Sequence, residues 1–262
     1  MNKISGLLID LDGTLYHGQT MIAGADTLIA GLRKANIPFL FVTNNSSRTA
    51  EDVAAHLRGM GIEAKADEVC TSSLAAARYI AEESPGASVA ILGEKGLHQA
   101  CEEAGLNIVT ESPQYVVQGI DRSFTYDKLA QAQRWILGGA RSVLTNPDLM
   151  LPGDGGIMPG AGTIGAAIEA ATGVAPVVIG KPHSHLIAYA TDRLGIEPGV
   201  AIMVGDNMRT DIAAGARAGC QTILVYTGLT NAENLEHYKE ITGITPDVIC
   251  ADLTELQAFL GV

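Results

Sequence analysis

The chain has 262 residues, enough for one large domain or two modest ones at roughly 100–200 residues each. Apolar residues make up 47% and charged residues 18%, which supplies a full core and excludes a disordered or collagen-like chain. Lys+Arg number 17 against 29 Asp+Glu, a net charge of −12 without a basic stripe; this argues against a nucleic-acid partner and leaves any anionic ligand to be held by local groups.

The first apolar run, Ile4–Ile9, is too short for a secretory leader, and no run approaches the roughly 18 apolar residues of a membrane span. Cys70, Cys101, Cys220 and Cys250 lie far apart, with neither a C-x-x-C pair nor a zinc spacing. Reduced, buried thiols in a soluble cytoplasmic protein are expected, with no membrane partner.

Strands are expected at Ile4–Ile9, Pro38–Val42, Ser88–Leu92, Tyr115–Gly119, Ser142–Leu144, Val177–Ile179, Ala201–Val204, Thr222–Val225 and Asp247–Ile249. Helical patterns fill most of the gaps, for example Ala25–Lys34, Ser72–Glu82, Lys128–Leu137 and Ser184–Leu194. Strand–helix alternation at this spacing predicts an α/β fold of parallel sheets with helices on both faces. Runs such as "FLFV", "VVI" and "AIMV" suit strands buried on both sides. The segments "EESPGAS" at 82–88 and "ATGVAP" at 171–176 combine Pro, Gly and small residues. They predict an inserted domain over 84–176, with 1–83 and 177–262 forming one discontinuous core.

In an open parallel sheet, ligands bind beyond the carboxyl ends of the strands. Four runs end there in polar clusters: Asp10-Leu11-Asp12-Gly13-Thr14, then Thr43-Asn44-Asn45-Ser46-Ser47, then Gly180-Lys181-Pro182, then Gly205-Asp206-Asn207 followed by Thr210 and Asp211. Any one alone reads as a turn or a helix cap. Together they supply carboxylates for a cation, hydroxyl and amide donors for an anion, and one positive charge. Asp10, Asp12 and Asp206 suit a hard cation such as Mg²⁺, which takes few protein carboxylates and an oxygen of a substrate phosphate. The chemistry that fits is phosphoryl transfer. One carboxylate attacks phosphorus, the cation and Lys181 offset charge, and the other aspartate of the pair handles the proton.

This set of clusters, in this order, resembles the four motifs of the haloacid dehalogenase superfamily. The Asn-Asn-Ser-Ser run, the roughly hundred-residue insertion, "TNPD" at 145–148 and "PGAGTIGAAIEAATG" at 159–173 resemble its NagD-like phosphatase branch. The resemblance implies a Rossmann-like core carrying an inserted α/β cap domain. It implies Asp10 as nucleophile and metal ligand, and Asp12 as general acid/base, touching the metal through its main-chain carbonyl. It implies Asp206 as a metal ligand and Asp211 as the residue ordering a metal water. Thr43 and Asn44, with Asn45 beside them, would orient the phosphate. Lys181 would hold nucleophile and phosphate, and Asn207, Arg209 and Thr210 would line the phosphate side. A cap-mediated homodimer is implied as well.

An acid at Asp12 favours phosphate esters over haloacids, because an alkoxide needs a proton to leave and a halide does not. The expected activity is Mg²⁺-dependent hydrolysis of small phosphorylated metabolites. A phosphotransferase or mutase shares these motifs, and a non-catalytic phospho-ligand-binding protein is the rival outside the enzyme class. Three weaker features stand beside the motifs. Gly160-x-Gly162-x-x-Gly165 matches the dinucleotide fingerprint, but without a clear preceding strand or a following acid it reads better as a tight turn opening a closely packed helix. The loop 145–156 reads as a specificity loop with Asn146 and Asp148 as candidates, or as a turn stabilised by them. Tyr16 and His17 either wall the substrate entrance or form a plain loop.

Overall fold

The computed structural model describes residues 4–153 and 156–262. These form two compact units. The first holds the chain up to Thr43, Ala50–Cys70 and Lys181–Val262; the second holds Asn44–Thr49 and Thr71–Gly180.

The crossing points differ from the expected 83/84 and 176/177, and hydrogen bonding explains the difference. Val177–Val178 pairs in parallel with Val143 and Leu144, so the run "VVI" belongs to the second unit's sheet and the chain leaves that unit only after Gly180. The segment 44–49 is tied to the same unit: Ser73 Oγ donates to Ser46 O (2.9 Å), and Ile120 N donates to Ser46 Oγ (3.0 Å). The Pro- and Gly-rich segments mark turns inside the second unit.

The first unit is built on a six-stranded sheet in the order Val248–Cys250, Gln221–Val225, Ala201–Gly205, Gly6–Ile9, Phe39–Thr43, Val69–Thr71. Gly6–Ile9 pairs in parallel with Ala201–Gly205 on one side and Phe39–Thr43 on the other. The chain therefore reverses its winding at Gly6–Ile9, where a crevice opens at the carboxyl ends. All four residues of that strand are buried, as a strand covered on both faces requires. One cover is the helix Ala25–Lys34, which buries Ala25, Leu28, Ile29 and Leu32 at helical spacing. Asp26 in its first turn and Arg33 and Lys34 in its last complement the helix dipole.

The second unit has a five-stranded parallel sheet in the order Val177–Val178, Arg141–Leu144, Tyr115–Gln118, Ser88–Leu92, Asn107–Ile108, and a separate antiparallel hairpin of Met150–Gly153 with Gly156–Pro159. Its helix Ser72–Glu83 is capped by Thr71, whose side chain accepts from Leu74 N (3.2 Å). Its helix Ala161–Thr172 carries Gly162 and Gly165 of the dinucleotide-like run, with Gly160 as its N-cap. A Cβ on Gly160 would stand 2.1 Å from Asp148 O, one on Gly162 2.2 Å from Pro147 O, and one on Gly165 2.7 Å from Gln118 Nε2. The glycines let the helix press onto the backbone of the 145–149 segment, so the spacing records close packing.

Candidate active site

Gly6–Ile9 and Ala201–Gly205 end side by side, and each delivers an aspartate. Asp10 N continues the ladder to Val204 O (2.9 Å). Asp10, Asp206 and Asp211, all buried, bring one carboxylate oxygen each within 4.8 Å of one another. Lys181, 2% exposed, places its ammonium between them. It bonds Asp10 Oδ1, and its Nζ lies 2.8 Å from Asp211 Oδ1 and 3.1 Å from Val42 O.

Thr14 Oγ1 lies 3.2 Å from Asp10 Oδ2 and 3.1 Å from Asp206 Oδ1, so its one hydroxyl proton serves either carboxylate. Asp206 Oδ2 accepts from Leu229 N (2.7 Å), and Asp211 Oδ2 accepts from Asn207 N (3.1 Å). Both oxygens of Asp211 are thus engaged by the protein, which suits a supporting place behind the other two. Thr43 is buried at the end of its strand.

The electrostatics are those of crowded like charges. Burial pushes the carboxyl of Asp206 above the ordinary range, and the charge of Asp10 adds to it. Burial does the same to Asp211, again with Asp10, while Lys181 opposes the rise. For Lys181, burial alone would lower the pKa; the charges of Asp10 and Asp211 outweigh it and raise the group well above its usual value. Asp12 stands apart. It is exposed and outside the carboxylate cluster, and desolvation of its carboxyl, then the Asp10 charge, raise it.

The remaining expected residues fall in two places. Asn207 Oδ1 accepts from Arg209 N (2.9 Å), turning the chain into the wide helical turn Met208–Ile212, on which Arg209 is exposed and Thr210 half-buried. Asn44, Asn45, Asn146 and Asp148 belong to the second unit. There Asn44 Nδ2 (2.9 Å) and Asn146 Nδ2 (2.7 Å) both donate to Asp148 Oδ2, and Thr145 Oγ1 donates to Asn146 Oδ1 (2.9 Å). Asn45 Oδ1 accepts from Ser47 N (3.1 Å) and Arg48 N (2.9 Å), which makes it a turn residue of its own loop. The expected specificity loop 145–156 includes residues 154 and 155, which lie outside the described residues.

A haloacid dehalogenase-like hydrolase model matches residues 7–107, and a second HAD-hydrolase-like model matches 178–256. The chain is 44% identical over 261 residues to the acid sugar phosphatase of Staphylococcus aureus, covering 99% of each. The chain belongs to the haloacid dehalogenase-like hydrolases. It is 45% identical over 235 residues to the 5'-nucleotidase YutF of Bacillus subtilis, covering 90% of this chain and 92% of that one. Its fold superposes on the p-nitrophenyl phosphatase from Archaeoglobus fulgidus with a TM-score of 0.92 at 36% identity, over 98% of this chain and 100% of the other. Within the haloacid dehalogenase-like hydrolases it is a NagD-like enzyme of the phosphoric monoester hydrolase class, an α/β core with a cap domain.

The carboxylate cluster fits the divalent metal that these hydrolases use. With all three carboxylates ionised, the one ammonium leaves two negative charges uncompensated in a buried place, which a divalent cation would neutralise. The donors are all oxygen, which selects a hard ion. Glycines keep the space open: a Cβ on Gly228 would stand 2.1 Å from Asp206 Oδ2, one on Gly13 2.6 Å from the same atom, and one on Gly205 2.3 Å from Asp211 Cβ. Gly13 is needed for conformation too, at φ +92°.

Two contributors had no role assigned from the sequence. Thr14, the last residue of the first cluster, lies between the carboxylates of Asp10 and Asp206. The segment Thr227–Thr230 carries Gly228 and the Leu229 N–H, while Thr230 N donates to Asp206 O (3.0 Å) and Thr230 Oγ1 accepts from Met208 N (3.1 Å). The only sequence signal for it is its place, just past the carboxyl end of Gln221–Val225.

Proposed function

We propose that this enzyme hydrolyses small phosphate monoesters, sugar phosphates among them, with Mg²⁺ and through an aspartyl-phosphate. The observation that carries the reading is the pairing of Asp10, held by Lys181 and Thr14 inside the carboxylate cluster, with Asp12 two residues on and outside it. The relatives named acid sugar phosphatase, 5'-nucleotidase and p-nitrophenyl phosphatase support it.

Asp10 and Asp206 would hold Mg²⁺ together with the Asp12 carbonyl, and Asp211 would order a water on it. When bound, the ion offsets charge on the transferring phosphoryl group. An Asp10 oxygen attacks phosphorus, the phosphorus–ester oxygen bond breaks, and Asp12 gives its proton to the leaving alkoxide. Asp12 then takes a proton from water as that water attacks the same phosphorus, and Asp10 is released with inorganic phosphate. A carboxyl with a raised pKa suits the first proton transfer, and its place outside the cluster leaves it to handle the proton in both steps. Lys181 holds the Asp10 carboxylate in place and offsets charge on the phosphoryl oxygens. Thr43 and Asn44 would orient the phosphate, with Asn207, Arg209 and Thr210 along its side. Asn146 and Asp148 of the cap would bear on which leaving group is accepted.

The test is phosphate release from a panel of sugar phosphates, nucleoside monophosphates and aryl phosphates with Mg²⁺, run with and without an acceptor alcohol. Free phosphate from at least one monoester, dependent on Mg²⁺, is expected. A phosphorylated acceptor as the main product would assign a phosphotransferase instead, and no turnover across the panel would leave a binding protein.

A further inference from the structure

The short hairpin after the first motif pairs Tyr16–His17 with Thr20–Met21, and Gly18 and Gln19 form its tip. Two residue pairs cannot hold a hairpin in water, so its position must come from contacts elsewhere. Gly18 is left-handed at φ +59°, and a Cβ there would meet nothing within 4 Å. Packing therefore does not fix the tip, whereas hydrogen bonds do. His17 Nε2 bonds Thr227 O (2.8 Å), and His56 Nε2 bonds Gly18 O (3.1 Å). A carbonyl only accepts, so each imidazole carries its proton on Nε2.

His56 sits half-buried on the helix Ala50–Gly59, one turn from the buried Val53 and beside the buried Leu57. Its ring meets that of Tyr16 edge-on, with centroids 5.1 Å apart. The hairpin is thus held from two sides, His56 gripping the Gly18 carbonyl at its tip and His17 reaching out to Thr227 O. The hairpin is tied to Asp12 through the backbone: Asp12 and Tyr16 form an isolated bridge, and Gly13 N donates to Tyr16 O (2.8 Å).

We propose that His56 is a positioning residue for Asp12: by holding Gly18 O it fixes the hairpin whose Tyr16 bridges Asp12, and so directs the Asp12 carboxyl toward the leaving-group oxygen. The inference rests on the proposed phosphatase reading, in which Asp12 supplies that proton. A misdirected acid slows the departure of a poor leaving group and leaves a good one nearly unaffected.

The experiment measures kcat and KM with Mg²⁺ across aryl phosphates from p-nitrophenyl to p-methoxyphenyl. For His56→Ala, kcat on p-methoxyphenyl phosphate is expected to fall about tenfold and on p-nitrophenyl phosphate about twofold at most, with KM within about twofold. His56→Phe keeps the ring against Tyr16 and lacks the N–H; the same selective loss is expected. His56→Gln restores a donor and should recover most of the loss. An equal fall across the series, an unchanged series, or no recovery with Gln would overturn the positioning role. A wild-type enzyme that releases phosphate from no monoester, the aryl series included, would instead overturn the phosphatase reading, and this inference with it.

Discussion

The two units handle polar groups in opposite ways. In the core, Asp10, Asp206 and Asp211 are three buried acids against the one base Lys181, an imbalance that a cation could offset. In the cap, Asn44, Asn146 and Thr145 are neutral donors and acceptors gathered around the one carboxylate of Asp148. A site left with excess charge is suited to reacting with a charged group, because the electrostatic cost is recovered when the ion and the phosphate enter. A network of amides is suited to holding shape. On the proposed reading the reaction therefore belongs to the core, and the cap's network holds the shape of its own unit.

The sharpest way to break that division is at Asp10. Asp10→Asn keeps the shape and a partner for Lys181 while removing the nucleophile. Turnover of p-nitrophenyl phosphate should fall about 10⁴-fold or more, with the thermal midpoint and circular dichroism close to wild type. Appreciable residual turnover would move the nucleophile elsewhere.

Next comes the charge balance itself. Lys181→Met fills a similar volume but leaves Asp10 and Asp211 buried without their cation. In urea titrations without divalent metal, it should cost about 3–5 kcal/mol. Adding Asp211→Asn to the same chain should recover part of that loss. A cost below about 1 kcal/mol would show that the cluster is not governed by charge.

How much of this was legible in the sequence follows the same division. Asp10, Lys181 and Asp206 could be found because each sits at the end of an apolar run, where polarity is conspicuous, and Asp211 through its spacing from Asp206. Thr14 and Thr227–Thr230 could not, because a threonine or a glycine in a turn has many ordinary uses. His56 could not either: it lies within an unremarkable amphipathic helix, and its partner Gly18 is 38 residues away. The α/β class followed from strand–helix alternation, whereas the unit borders did not. The run "VVI" is equally apolar in either sheet, and only its pairing with Val143 and Leu144 assigns it to the second. The dinucleotide-like glycines are packing positions by their close backbone approaches, but the expectation that no strand precedes them fails: Gly156–Pro159 leads straight into Gly160, as one arm of an antiparallel hairpin and not as the strand of a parallel strand–helix–strand unit.

That packing offers a further test, confined to the cap. Gly162→Ala would put a methyl 2.2 Å from the backbone oxygen of Pro147, which cannot rotate away as a side chain would. A loss of about 1–3 kcal/mol is expected. No dinucleotide should bind wild type in isothermal titration. A neutral Gly162→Ala would remove the packing explanation.

The smallest expected effect concerns the cap's own ion pair. Asp121 is buried and bonds Lys128 Nζ (2.6 Å) and Ser123 Oγ (2.7 Å). Burial alone would raise its carboxyl; the Lys128 and Ser123 donors outweigh that and hold it below the usual aspartate range. A folded pKa below the unfolded one means the pair stabilises the protein above about pH 4, the ordinary aspartate value, and that this stability is lost as pH falls through the depressed folded value. Lys128 is partly exposed, so screening keeps the effect modest. Asp121→Asn should lower the thermal midpoint at pH 7 slightly and flatten the acid limb of its pH dependence, while activity per folded molecule is unchanged because the pair lies outside the core's charged cluster. The same acid limb in wild type and variant would show that Lys128 contributes nothing to holding that carboxylate ionised.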